Sequence, residues 1–156
     1  MFSDRPRLED VRRLVREGRY RLTSHAEHER GQDRILVREM EEALCSPRAE
    51  IVEDYPTDPR GASVRILVAG SSGGSAGRGR RMDRCYFCRG RVTARKVDHL
   101  HRWGEAMLLV KGLPAEVCEE CKEVYLPPAS LRLLDDLTAK AETPTEFVQI
   151  PVYSLP

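Results

Sequence analysis

Aromatic residues make up only 6% of the 156-residue chain, with a single Trp, and residues 1–70 contain no lysine. No run of 18 apolar residues occurs, which excludes a membrane-spanning helix. The opening M-F-S-D-R-P-R-L-E-D has no apolar stretch of the kind that marks a secretory signal, so a cytoplasmic location is expected. An excess of one charge is also missing. The 26 Lys and Arg nearly cancel the 25 Asp and Glu, leaving no global basic field to recruit nucleic acid. The length accommodates one medium domain or two small ones, each with a thin core.

What is present divides the chain. Ala69 to Arg81 reads A-G-S-S-G-G-S-A-G-R-G-R-R, with five glycines, three serines and no large apolar residue. This is linker composition. Neither G-x-x-x-x-G-K-S/T nor G-x-G-x-x-G occurs in it, so a phosphate-cradling loop is not the reading. Before it, 13 Arg and no Lys face 14 acids; residues 85–156 mix nine Arg and Lys with 10 acids. The expectation is a residue 1–70 module, a Gly/Ser linker at 71–81 that decouples the halves, and a second module at 82–156.

Local patterns supply the elements. Leu8, Val11, Leu14 and Val15 recur at helical spacing before Gly18. Tyr20 and Leu22 alternate as a short strand, and Ser24 with Glu27 fits a capping box opening a helical turn through His28 and Arg30. Leu36, Val37, Met40, Ala43 and Leu44 form another amphipathic helix, stopped by Ser46-Pro47, with Cys45 a small core residue beside Leu44. Glu50–Tyr55 and Ser63–Ala69 read as strands joined by a turn at 56–61. That sheet is too small to complete a domain. Beyond the linker, strands are expected at Arg91–His101 and Glu105–Lys111, a helix from Pro128 or Ser130, and an exposed final strand over Glu146–Leu155. The fold class is α+β: a helix-plus-strand-pair module, the linker, then a four-cysteine hairpin module with a helix and a terminal strand.

Four of the five cysteines form two C-x-x-C pairs, Cys85/Cys88 and Cys118/Cys121, separated by the 29 residues 89–117. Each pair folds as a tight turn with converging sulfurs, and two turns complete a tetrahedron around one ion. Zinc suits a closed thiolate shell because it is borderline-soft and redox-inert, and with no position left for water the ion is structural. Rubredoxin iron uses similar spacing. It also uses a glycine after each knuckle and an aromatic shell, whereas here Gly90 comes one residue late, Lys122 follows the second knuckle, and aromatics are few.

Cys85, Cys88, Val110-Lys111-Gly112-Leu113-Pro114-Ala115-Glu116-Val117-Cys118, Cys121 and Tyr125 resemble the pattern of YgiT-type (MqsA-like) zinc-finger antitoxins, whose central stretch reads V-x-G-V-P-A-x-V-C. The resemblance covers 82–156. It implies one structural Zn2+ on Cys85, Cys88, Cys118 and Cys121 and binding to a cognate toxin. The helix-turn-helix that follows the zinc domain in longer members has no counterpart here, so protein–protein binding is implied. Residues 19–70 resemble the first part of a toxin family of unknown function placed near RelE-like ribonucleases, through Thr23-Ser24-His25-Ala26, Arg30, Val37–Leu44 and the strand pair. The linker stands where that family's further strands are expected, so this module is expected to be incomplete.

His25 as acid or base and Arg30 against a scissile phosphate are the weak catalytic candidates, with Arg65 or Tyr55 as further groups that residues 1–70 offer. The plainer reading puts His25 in a helix's first turn and His28 in solvent. His99 and His101 share a strand face near Arg95 and Lys96, expected to be solvated or in slight contact with nucleic acid. The functional expectation is a zinc-binding antitoxin-type protein fused to a toxin-like remnant. It would bind a cognate toxin or the remnant in cis, with no membrane role and no competent ribonuclease. A nucleic-acid-binding zinc finger and a weak RelE-like ribonuclease are the alternatives.

Overall fold

The computed structural model describes residues 8–55, 63–67, 82–140 and 143–155. The expected linker at 71–81 and the turn at 56–61 lie outside the described residues, as do the side chains of Tyr55 and Arg65. Helix and strand are mixed in the order α1 (Leu8–Arg16), β1 (Leu22–Thr23), α2 (Ser24–Gln32), α3 (Val37–Cys45), β2 (Glu50–Tyr55), β3 (Ser63–Leu67), β4 (Val92–Trp103), β5 (Ala106–Cys118), β6 (Val124–Leu126) and α4 (Pro128–Ala139). Among the described residues no helix is long and apolar enough to cross a membrane.

Each helix has a local cause. In α1, Glu9 and Asp10 occupy the first turn and Arg13 and Arg16 the last, complementing the helix dipole, and Gly18 at φ 63° ends the run. The cap of α2 is Thr23, whose Oγ1 accepts from the Ala26 N–H at 3.2 Å. The capping box expected of Ser24 and Glu27 does not form. Ser24 donates instead to Glu123 at 3.2 Å, and Glu27 turns inward. Pro128 occupies the first turn of α4, where its missing N–H costs nothing.

β4 and β5 form a long antiparallel hairpin closed by Gly104 at φ 59°, with a register shift between Val97 and His99. The strand order of the main sheet is β1-β6-β5-β4, while β2 and β3 pair separately. β1 therefore joins a sheet built from the far end of the chain, through Leu22↔Leu126 and Thr23↔Tyr125. The core repeats this pattern. Val37 from α3 is buried with Leu113, Ala115, Leu126, Leu131 and Leu134, and Tyr20 and Leu22 pack against them.

Two expectations are corrected here. The halves on either side of 71–81 share a sheet and a core, so they are not decoupled. Residues 82–156 supply three strands, α4 and most of the buried core, and the 1–70 segment completes it with β1 and Val37. Gly31 shows how close they come: a Cβ there would lie 1.9 Å from the Arg102 carbonyl oxygen, and the Gly31 carbonyl accepts from the Gly104 N–H at 2.9 Å. Second, the tail forms no strand among the described residues 143–155. Phe147 is 90% exposed and Tyr153 84%. Pro144 and Pro151 lack ladder donors, and the Lys111–Glu146 ion pair ties the start of the tail to β5.

Candidate metal centre and a buried carboxylate–imidazole cluster

The sulfurs of Cys85, Cys88, Cys118 and Cys121 converge, all within 4.8 Å of one another. Across the two knuckles, Cys85 and Cys121 are 3.6 Å apart and Cys88 and Cys118 3.4 Å. These are far from the S–S bond of about 2.05 Å, so the cysteines are free thiols. An ion bonded tetrahedrally at about 2.3 Å to each sulfur needs edges of about 3.8 Å, a few tenths of an ångström away. The group fits a four-coordinate metal.

The backbone is built for this convergence. Cys85 N–H donates to the Gly90 carbonyl at 2.8 Å, Arg89 N–H to the Cys85 carbonyl at 3.1 Å, and Cys118 N–H to the Glu123 carbonyl at 3.0 Å. Arg89 (φ 63°) and Lys122 (φ 65°) take the left-handed conformation after each knuckle without being glycine. That costs about 1 kcal/mol or more apiece, small against the ~10 kcal/mol of a structural metal. Gly90 serves a different need, because a Cβ there would meet Glu120 Cγ at 2.5 Å and Cys118 Sγ at 3.1 Å. It lets the second knuckle approach the first.

Cys85 and Cys118 are fully buried with Val92 and Tyr125, while Cys88 and Cys121 reach the surface. The Tyr125 hydroxyl accepts from the Tyr86 N–H at 3.1 Å and lies 3.2 Å from Cys85 Sγ, placed to donate to a thiolate. Burial raises the Cys85 thiol, but this hydroxyl and the knuckle N–H groups outweigh it and bring the pKa down to about 6. Cys121 moves the other way. A backbone bond at Glu123 lowers it, yet burial and the three neighbouring sulfurs push it up to about 12. Four adjacent thiolates repel, and a divalent cation is what allows all four to ionise.

A second cluster was not legible as such in the sequence. Glu27 from α2 is fully buried and places one carboxylate oxygen 2.8 Å from His101 Nδ1 and the other 2.7 Å from His99 Nε2, both from β4. His99 and His101 are therefore not a solvated face. The i, i+2 alternation of a strand does put both on one side, but that side is covered by α2. Burial alone would raise the Glu27 pKa; the bonds from His101 and His99, together with their charge, lower it to about 2.

Arg30, the expected phosphate ligand, is 5% exposed and committed elsewhere. Its guanidinium donates to Asp135 of α4 at 2.7 Å and to the Ile35 carbonyl at 2.6 Å. The charge serves packing because the other Asp135 oxygen accepts from the Val37 N–H at 2.6 Å, capping α3. His25 is exposed and not gathered with Arg30 into a site. Cys45 is half-buried, its sulfur 3.9 Å from the Arg12 carbonyl. Two further contacts tie the halves together: Arg21 grips Glu116 with two bonds of 2.7 and 3.0 Å, and Glu41 accepts from Arg132 at 2.6 Å while also accepting from Tyr20 of its own half at 2.6 Å.

Residues 22–92 match the family described as Domain of unknown function (DUF4258). The match runs across 71–81, takes in Cys85 and Cys88, and stops before the second knuckle. No curated protein and no solved structure matches the chain.

The low pKa of Glu27 sets a stability window. Its stabilisation is complete above the unfolded carboxyl value of 4.5 and is lost as pH falls toward about 2. The loss is on the order of 3 kcal/mol over that interval. Urea midpoints measured between pH 5 and pH 3 should fall, and Glu27→Gln should flatten the slope.

Proposed function

We propose that the chain is a zinc-binding, antitoxin-type protein of a type II toxin–antitoxin system, in which residues 82–156 clasp a toxin-like residue 1–70 segment and act by protein–protein binding. The observation that carries this reading is the contact between the two. α2 offers Glu27 and Arg30, and the cysteine-bearing half meets them with His99, His101 and Asp135. Arg30, the cation that would face an RNA phosphate, is occupied by Asp135. The antitoxin-like stretch Val110–Cys118 supports it too, since Leu113 and Ala115 lie in the shared core while Cys118 ends β5 at the metal centre. Zinc is the ion that a closed, redox-inert thiolate shell suits best.

In this reading His25 and Arg30 do not form a working ribonuclease, because Arg30 is buried and neutralises Asp135, out of reach of a phosphorane. The test is a protease site placed within 71–81 of the full chain. After cleavage the halves should co-elute at micromolar concentration and leave a long single-stranded RNA intact. Halves that separate, or RNA cleavage that vanishes in His25→Ala, would favour the ribonuclease.

The exposed tail is the arm available to an intact cognate toxin. Phe147, Val148, Ile150, Val152 and Tyr153 are exposed and can add to a sheet edge. Deleting residues 144–156 should leave metal content unchanged and abolish capture of such a toxin; unaltered affinity would refute it.

A further inference from the structure

We infer that Glu27, His99 and His101 form a second metal site, taking a borderline divalent cation such as Zn2+, distinct from the four-cysteine centre and independent of the antitoxin reading. The three donor atoms lie within 4.8 Å of one another. They are a carboxylate and two imidazoles, the donor set that suits Zn, Fe, Co and Ni ions. Glu27 and His101 are fully buried and the His99 side chain is 11% exposed, which puts the entrance at His99.

Charge asks for a cation at this place. Glu27 and Asp135 bring two negative charges and Arg30 one positive, so the pocket is one negative in excess before the imidazoles are counted. A single proton on one imidazole would balance that. Two imidazoles aimed at opposite oxygens of one carboxylate are more than a proton needs. His101 is spent on this contact alone: its buried Nε2 has no hydrogen-bond partner among the described residues. Coordination also requires little motion. The present N···O distances are 2.7 and 2.8 Å. A metal about 2.0–2.1 Å from each donor needs roughly 3.0–3.4 Å, so opening by a few tenths of an ångström exchanges a shared proton for an ion.

The test uses the full chain and cobalt. Titration with Co2+ should show a first equivalent with thiolate-to-cobalt charge transfer and a second with only weak ligand-field bands. Elemental analysis of the zinc-loaded protein should give two ions per chain. His99→Gln, at the partly exposed ligand, should drop the content from two ions to one while keeping the thiolate spectrum. On the unaltered chain, the second zinc equivalent should release protons and shift only the His99 and His101 imidazole resonances, a readout that survives if the variant fails to fold. One ion per chain, a second equivalent unchanged in His99→Gln, or unmoved imidazole resonances would overturn the site and leave the cluster holding a proton.

Discussion

Cys118→Ser is expected to empty the four-cysteine centre and to unfold more than the segment around it. The substitution removes a buried cysteine of a group that could hold a metal, and a structural ion in such a shell would contribute on the order of 10 kcal/mol. Cys118 is the last residue of β5, Cys121 leads into β6, and β6 carries β1 through Leu22↔Leu126 and Thr23↔Tyr125. Loosening the second knuckle therefore frees β6, then the strand that caps and positions α2. Metal content at the cysteines should fall to near zero, and hydrogen exchange should accelerate at the Val37 amide, whose bond to Asp135 depends on α4 packing beside that sheet. If α1 to α3 keep their protection in the variant, the two halves are separately stable and the shared core is not what holds them.

Glu27→Gln carries the second large effect, a loss of about 3–5 kcal/mol of stability. The carboxylate satisfies two imidazoles and lies 3.5 Å from the Arg30 guanidinium, all of them buried or nearly so. An amide has one acceptor and one donor end, so one histidine is forced to accept where both could donate to the carboxylate, and Arg30 loses a compensating charge. His25→Ala, at an exposed position in the same helix, should change stability by less than about 0.5 kcal/mol. Combined with His101→Gln, Glu27→Gln should be strongly non-additive, because both remove the same contact. Urea denaturation of the unaltered chain and these four variants measures this. A Glu27→Gln cost near that of His25→Ala would mean that the cluster contributes nothing to holding α2 on β4.

The features legible in the chain itself are those whose physics is local. A C-x-x-C turn brings two sulfurs together whatever surrounds it, and two such turns leave only one economical way to converge, so the four metal-type ligands follow from spacing. Helical periodicity places α1, α3 and α4 for the same reason, since i, i+3 and i+4 neighbours share a face without help from distant residues. The strand pair Glu50–Tyr55 and Ser63–Leu67 is likewise a contact between near neighbours.

Tertiary structure decided everything that depends on which surface each face meets. Ser24 and Glu27 have capping-box spacing, but Thr23 caps the helix because Glu27 gains more from two imidazoles 72 and 74 residues away. Arg30 has the chemistry of a phosphate ligand and became an ion-pair partner because α4 brings Asp135 to it. A strand's period of two puts His99 and His101 on one face but cannot say whether water or α2 covers it. The glycine-rich composition of 71–81 suggested separation, whereas β1 and Val37 join the sheet and core formed by residues 82–156. Burial is a property of the assembled layers, and a buried charge is stable only where its counter-charge is already placed, so the Glu27 cluster and the joined core exist only once the distant segments have met.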